Sequence, residues 1–457
     1  MNANLDNIKN KNILIVGLGR SGIAAAQAML KLGARVSIQD SKKEETVDRS
    51  LVSFFREKGA TCYFDDIPKD MAEFDMVILS PGVNPELPFI AEARDKGVEI
   101  TGELEIAYRI GRGNFVAITG TNGKTTTTTL TGEIFAASGR KTHVAGNIGT
   151  AVIAESIEAE EEDWLVTETS SFQLETTRYF KPRISAILNI TPDHLNRHHT
   201  MKAYGEAKAK IFANQSADGY LIVNGDDRFC MELAERSKAK VVPFSSTRIL
   251  DFGAFVRDGM MTVRDETGDH DICRTDELKI IGVHNVENVL AASAISYFAG
   301  IDIKVIADTV RNFAGVAHRL EFCAEVDGVR YYNDSKGTNT DATLIALNAI
   351  GKDIILIAGG DAKGQNFDGL AGEFKGRVKA LVLLGRDGFM IKDAAEKAGF
   401  TRIYQCRNMD ECVFKARDIA APGDTVLLSP ACASWDMYDN FEQRGDHFKD
   451  CVRRLEE

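Results

Sequence analysis

The sequence predicts an α/β protein built as three domains in series. Short apolar runs alternate with helical stretches along the chain, the pattern of parallel sheets wrapped by helices. Two of those runs lead directly into glycine-rich turns that open helices. The 457 residues also exceed what a single hydrophobic core holds together.

In chain order, residues 13–16 read as a strand that runs into Gly17, Leu18, Gly19, Arg20, Ser21 and Gly22. A helical pattern follows to Leu32, and residues 35–39 read as a second strand ending in Asp40, Ser41 and Lys42. GxGxxG between strand and helix, with an acid about twenty residues on, is the dinucleotide fingerprint. Residues 61–64 and 76–79 add strands, the latter ending in Ser80-Pro-Gly-Val83. A Rossmann-like first domain, residues 1–110, is expected to end at the glycine-rich break of residues 111–114.

The second domain, residues 111–317, opens with an apolar strand at 115–119. Further strands are expected at 164–167, 184–188 and 220–223, with a helix at 286–298. Each strand ends in polar residues, so Thr119, Glu168, Asn189 and Asn224 are expected on one rim, where parallel sheets bind ligands. The third domain, residues 318–457, begins with strands at 322–326 and 329–333 around Asp327-Gly328, a tight hairpin signal. Strands at 354–358, 380–384 and 425–428 alternating with helices predict a second Rossmann-like sheet there.

After the strand at 115–119 come Gly120, Thr121, Asn122, Gly123, Lys124, Thr125 and Thr126. Strand, glycine-rich turn and helix start form a P-loop-type phosphate cradle. Lys124 supplies a point charge and the Thr125 hydroxyl a Mg2+ ligand. The general pattern wants glycine at 118, where this chain has Ile118. Glu168, just past a strand on the same rim, reads as a metal ligand or as a plain loop acid. Asp193, His194, His198 and His199 crowd one loop, which suits a metal site or a solvated turn. Spacing alone leaves Lys208 facing solvent, like Lys202 and Lys210. In the third domain Lys336, Lys363 and Ser434 follow three strand ends, which suits a small anionic substrate.

The net charge of -12 argues against non-specific nucleic-acid or anionic-membrane binding. The first eleven residues are polar, and no apolar stretch reaches membrane-spanning length. Eight cysteines show neither CxxC nor zinc spacing, so reduced thiols of a cytoplasmic protein are expected. A nicotinamide dehydrogenase would explain Gly17 to Gly22 but neither the Gly-Lys-Thr loop nor the third domain. A non-catalytic nucleotide switch would predict a partner-dependent ATPase and no ligated product.

Six segments form a set: the loop of residues 120–125, Glu168 in Glu-Thr-Ser-Ser-Phe-Gln, Asn189-Ile-Thr-Pro-Asp-His194, His284-Asn285-Val-Glu-Asn288, His318-Arg319, and Asn333-Asp-Ser-Lys336. On these motifs the chain resembles the Mur ligases of peptidoglycan synthesis over nearly its whole length. The members that add D-glutamate are favoured by residues 17–22, Ser80-Pro-Gly-Val83, Gly102-Glu-Leu-Glu105, Ser429-Pro-Ala-Cys-Ala-Ser434 and Asn440-Phe-Glu-Gln-Arg444.

The resemblance implies an ATP-dependent amide ligase joining D-glutamate to UDP-N-acetylmuramoyl-L-alanine through an acyl phosphate. It implies two Mg2+ ions held by Thr125, Glu168, His194 and a carbamoylated Lys208. It places ATP on residues 120–126, with Asn288, Arg319 and Asp334. It places the UDP-substrate on Gly17, Gly19, Arg20, Ser21, Gly22, Asp40, Ser41 and Asn147, and D-glutamate on Thr338, Lys363, Ser434 and Phe441. Ser41-Lys42 stands where the family often has Thr-Arg, and Thr125 where it often has Ser. A monomer is expected, with its last domain closing on the central one as ATP binds.

Overall fold

The computed structural model describes residues 8–456, so most of the polar first eleven residues lies outside the described residues. The chain divides into two compact units. One runs to Glu277 and takes up Glu287–Arg311; the other comprises Leu278–Val286 and everything from Asn312 on.

The first unit holds two sheets. Strands β1 (Asn12–Val16), β2 (Arg35–Asp40), β3 (Thr61–Phe64), β4 (Met76–Leu79) and β5 (Glu99–Gly102) form one, in the order β3-β2-β1-β4-β5. All four of its pairings are parallel. Both faces of β1 are buried: Ile13 and Ile15 pack with Ala25 and Met29, Leu14 and Val16 with Phe74 and Ile90. That two-sided burial is why the strand reads as an unbroken apolar run. Strand order reverses between β1 and β4, which opens a crevice beyond their carboxyl ends.

The second sheet has nine strands: β6 (Asn114–Thr119), β7 (Thr142–Gly146), β8 (Trp164–Glu168), β9 (Ile184–Ile187), β10 (Tyr220–Asn224), β11 (Lys240–Ser245), β12 (Gly253–Arg257), β13 (Met260–Asp265) and β14 (Gly268–Arg274). Their order is β14-β13-β12-β11-β10-β9-β6-β8-β7. Pairing is parallel from β7 to β12, and β12, β13 and β14 form an antiparallel meander. β6 sits between β8 and β9, so the loop after it opens at the middle of the rim.

The helix Glu103–Ile110 joins the two sheets. Glu105 accepts hydrogen bonds from the backbone N–H groups of Arg178, Tyr179 and Phe180, and Glu103 accepts one from Ile153 N at 2.6 Å. Tyr108 meets Phe115 and Phe180 edge-on at 5.6 and 5.5 Å. Burial pushes the Glu103 carboxyl up to about 7.

The second unit holds β15 (Glu321–Val326), β16 (Val329–Asn333), β17 (Ile354–Gly359), β18 (Val378–Leu384), β19 (Ile403–Gln405) and β20 (Thr425–Leu428). Their order is β15-β16-β20-β17-β18-β19, with only β15 antiparallel. The expected hairpin is present, with Asp327 and Gly328 both at positive φ. All eight cysteines are free thiols. Among the described residues, no helix is long and apolar enough to cross a membrane.

Candidate functional site

The loop after β6 is braced from β9. Asn189, just past that strand, accepts from Thr121 N (3.1 Å) and Asn122 N (2.8 Å) through Oδ1. Its Nδ2 donates to the Asn122 carbonyl at 3.1 Å. Gly123 stands at φ 83 and N-caps the helix Lys124–Ala137 with no side-chain cap. A Cβ there would lie 2.2 Å from Asn288 Oδ1, so glycine is required both by φ and by space. Asn288 Oδ1 also accepts from Thr127 Oγ1 at 3.3 Å. Lys124 Nζ donates to the Gly120 and Thr121 carbonyls, each at 2.9 Å. Thr125 and Thr126 are buried in the first turn. A run of β-branched threonines is a poor helix former. Packing overrides propensity: Leu130, Ile134 and Phe135 of the same helix are wholly buried.

Glu168 ends β8 and is buried. Its Oε1 accepts from Asn147 Nδ2 at 2.8 Å, while Oε2 is buried with no hydrogen-bond partner. An orphaned buried carboxylate oxygen on a phosphate-loop rim fits a hard cation such as Mg2+. The three clustered histidines separate in the fold. His198 is buried, with Nε2 against Ser171 Oγ at 2.9 Å and Nδ1 against Glu175 at 3.3 Å, a structural arrangement. His199 is exposed at φ 64. His194, at φ 53, keeps a half-exposed ring 4.8 Å from that of Phe172.

Lys208 corrects the expectation from spacing. It is only 1% exposed, whereas Lys202 on the same helix is exposed. Its Nζ donates to the Gly120 carbonyl at 2.8 Å and to Thr119 Oγ1 at 3.5 Å, and lies 4.6 Å from the Tyr204 ring centroid. Burial, helped by the charge of Lys124, holds its amine well below the usual lysine range. Lys210 instead donates to the Glu175 carbonyl. Tyr204, which also reaches Thr121 Oγ1 at 3.3 Å, gave no signal in the sequence beyond an aromatic residue on a helix.

The crevice at β1 and β4 holds a cavity of about 450 Å3. Gly17, Gly19, Arg20, Ser21, Asp40 and Asn147 line it, together with Ser80 and Val83. Asp40 shapes the loop, since Oδ2 accepts from Leu18 N at 2.6 Å and Oδ1 from Lys42 N at 2.9 Å. Ser41 is exposed and is not among the lining residues. Arg20 reaches across to the Gly146 and Asn147 carbonyls at 3.2 and 2.9 Å. Gly22 stands behind the loop, where a Cβ would lie 1.9 Å from the Gly17 carbonyl oxygen. Gly22→Ala is therefore expected to destabilise the protein by about 1–3 kcal/mol, read as a lower urea midpoint. An unchanged midpoint would show that the loop yields without cost.

In the second unit the strand-end loops are tied together. Asp361 and Ala433 exchange backbone hydrogen bonds, both 2.9 Å, which joins the loops after β17 and β20. Gln365 Nε2 donates to the Thr338 carbonyl at 3.3 Å. Ser335 Oγ donates to the Phe441 carbonyl at 2.8 Å. Thr338, Lys363 and Ser434 thus lie on connected loops, and Phe441 opens the helix tied to them. Lys363, at φ 48, rests its ammonium 4.2 Å from the ring centroid of exposed Trp435. Lys336 Nζ lies 5.6 Å from the Phe441 ring.

Asp334 is buried, accepting from Ser429 Oγ at 2.7 Å and Leu320 N at 3.3 Å, and burial raises its carboxyl to about 6. Arg319 buries its Nε with no hydrogen-bond partner. The sequence supplied Arg444 only as part of a motif. Its guanidinium is 1% exposed and donates to Ser335 Oγ, Ser335 O and Cys432 O, so it positions two of these loops.

Three family models match the chain: "Mur ligase MurD-like, N-terminal domain" over residues 11–102, "Mur ligase middle domain" over 118–296, and "Mur ligase, glutamate ligase domain" over 318–432. The chain is 47% identical over 451 residues to the UDP-N-acetylmuramoylalanine--D-glutamate ligase of Alkaliphilus oremlandii, covering 98% of this chain and 99% of that one. It is 45% identical over 449 residues to the enzyme of the same name from Clostridioides difficile, again covering 98% and 99%. Among solved structures, the UDP-N-acetylmuramate-alanine ligase of Thermotoga maritima shares the fold at a TM-score of 0.58 and 19% identity, covering 97% of this chain and 100% of that one. A MurF structure from Acinetobacter baumannii does so at 0.60 and 17%, covering 92% and 90%. With near-full-length relatives at this identity, three matched domains and the fold in common, the chain belongs to the Mur ligase family.

Proposed function

We propose that this protein joins D-glutamate to UDP-N-acetylmuramoyl-L-alanine at the expense of ATP, as a step of cytoplasmic peptidoglycan precursor synthesis. The observation that carries the chemistry is one rim of the central sheet. There a capless helix start, an orphaned Glu168 oxygen and the buried amine of Lys208 surround the loop of residues 120–125. The choice of substrates is supported by the names of the near-full-length relatives.

The backbone N–H groups of the loop cradle the ATP phosphates. Lys124 Nζ exchanges its loop carbonyls for phosphate oxygens and offsets the charge crowding as the alanyl carboxylate attacks the γ-phosphate. Acyl phosphate and ADP result; the amine of D-glutamate then attacks the acyl carbon and phosphate leaves. Thr125, Glu168, His194 and Lys208 would hold two Mg2+ ions, which neutralise phosphate charge. Lys208 would do so as a carbamate: its neutral Nζ adds to CO2, losing a proton and becoming an anionic ligand. Asn288, Arg319 and Asp334 contact the nucleotide.

The cavity beside Gly17, Arg20 and Asn147 takes the UDP diphosphate at a helix start. Thr338, Lys363, Ser434 and Phe441 receive D-glutamate, with Lys363 offering a cation to its carboxylate. We place domain limits near residues 110 and 317, within the gaps between the matched family segments, and expect a monomer.

Incubation with UDP-N-acetylmuramoyl-L-alanine, ATP, Mg2+ and single amino acids tests the reading. Phosphate release is expected with D-glutamate alone. Equal release with another amino acid, or none with D-glutamate, would overturn it.

A further inference from the structure

Away from these loops, the helices Met409–Ile419 and Phe441–Glu456 pack together at the far side of the last sheet. Asp410 stands on the first, His447 and Cys451 on the second, one turn apart on a shared face. A carboxylate oxygen, an imidazole nitrogen and the thiol sulfur of these three lie within 4.8 Å of one another. His447 Nε2 is 3.0 Å from Asp410 Oδ2. Its other ring nitrogen, Nδ1, is held at 2.9 Å by the Tyr438 hydroxyl. An imidazole fixed through one nitrogen and turned by the other toward a carboxylate and a thiol is how proteins prepare a metal-ligating histidine. Cys451 is buried, while Asp410 and His447 are about one-third exposed, which leaves an entry path from solvent.

We propose that Asp410, His447 and Cys451 form a zinc site that clamps these two helices. The mixed oxygen, nitrogen and sulfur set suits borderline Zn2+, and three protein ligands leave a fourth position for water. Tetrahedral coordination needs ligand atoms about 3–4 Å apart, a small contraction from the present spacing. Binding forms the Zn–S bond as the Cys451 thiol releases its proton to solvent, so loading strengthens as pH rises. A cation already serves this cluster: the Arg454 guanidinium donates to Asp410 Oδ1 at 2.6 Å and to Cys451 Sγ at 3.0 Å. Arg454 is nearly half exposed in the last turn of its helix and can swing into solvent as the ion enters. Arg454 and Zn2+ therefore compete for the same two ligands. The site is separate from the nucleotide and amino-acid loops. It would stabilise the helix whose first residues, Phe441 and Arg444, support them.

Titration of the full-length protein with Co2+ as a spectroscopic stand-in, and then with Zn2+, tests this in excess Mg2+. One ion per chain is expected, with a thiolate-to-cobalt charge-transfer band that Zn2+ abolishes. The thermal midpoint should rise with zinc. Cys451→Ala should remove the band, His447→Gln should weaken binding by at least about tenfold, and Arg454→Ala should tighten it. Both His447→Gln and Arg454→Ala alter partly exposed side chains, so they decide the matter even if Cys451→Ala does not fold. Absence of a stoichiometric ion overturns the site. So does a band that survives in Cys451→Ala, or an affinity indifferent to His447 and Arg454.

Discussion

Lys124→Ala is expected to lower kcat by roughly two to three orders of magnitude, about 3–4 kcal/mol of transition-state stabilisation. The ammonium is the only side-chain cation of the loop itself, and it already donates to the carbonyls of Gly120 and Thr121 at 2.9 Å. Its removal leaves the backbone cradle in place, so nucleotide binding should weaken less than turnover. The fold should survive, because Asn189 braces the loop and Asn288 holds the following helix turn at Thr127, both independently of Lys124. Steady-state phosphate release beside nucleotide affinity and far-UV circular dichroism makes the check. Turnover near the parent value in a folded variant would remove the nucleotide assignment. Lys124 and Lys208 both donate to the Gly120 carbonyl, at 2.9 and 2.8 Å, so their substitutions should not be additive. Read as nucleotide affinity, the loss in the double variant should fall short of the sum of the two single losses.

Strands buried on both faces were legible because burial writes a continuous apolar run: β1, β4, β6, β8, β17 and β20 all stand where the sequence predicts them. Those it missed lack such a run. β5 and β19 are edge strands with few buried side chains. β11 carries Pro243, which argues against a strand. The β12–β13 turn did carry a signal: Asp258-Gly259, both at positive φ, is the same pair that marks the hairpin at Asp327-Gly328.

Site residues followed a similar division. Glycines and polar residues at strand ends were readable because topology alone sends them to the rim. Arg444 and Tyr204 act through tertiary contacts that no local pattern encodes. Asp410 and His447 are 37 positions apart and meet only because two helices pack.

Lys208→Ala is expected to abolish measurable ligase activity, and a short carboxylate such as acetate should restore part of it. The side chain is buried against the phosphate loop, where a protonated amine would face Lys124 and lose its hydration. Two outcomes relieve that cost: the amine stays neutral, or it reacts with CO2 and becomes an anion able to meet a cation. Burial favours both, since only the neutral amine adds CO2, and the depressed amine is neutral at a pH where an ordinary lysine is charged. A plain structural lysine predicts a different result. Alanine would then leave a cavity and remove one of the two ammonium donors to the Gly120 carbonyl, costing stability as well as rate, and acetate would repair neither. Rescue that saturates with acetate concentration, and depends on carboxylate rather than on ionic strength, would mark the lost group as an anionic ligand. Lys208→Arg should be inactive and beyond rescue, because the guanidinium fills the space and cannot be carbamoylated. Failure of acetate in a folded Lys208→Ala protein would return Lys208 to a structural role and leave His194 as the side chain proposed for the second ion.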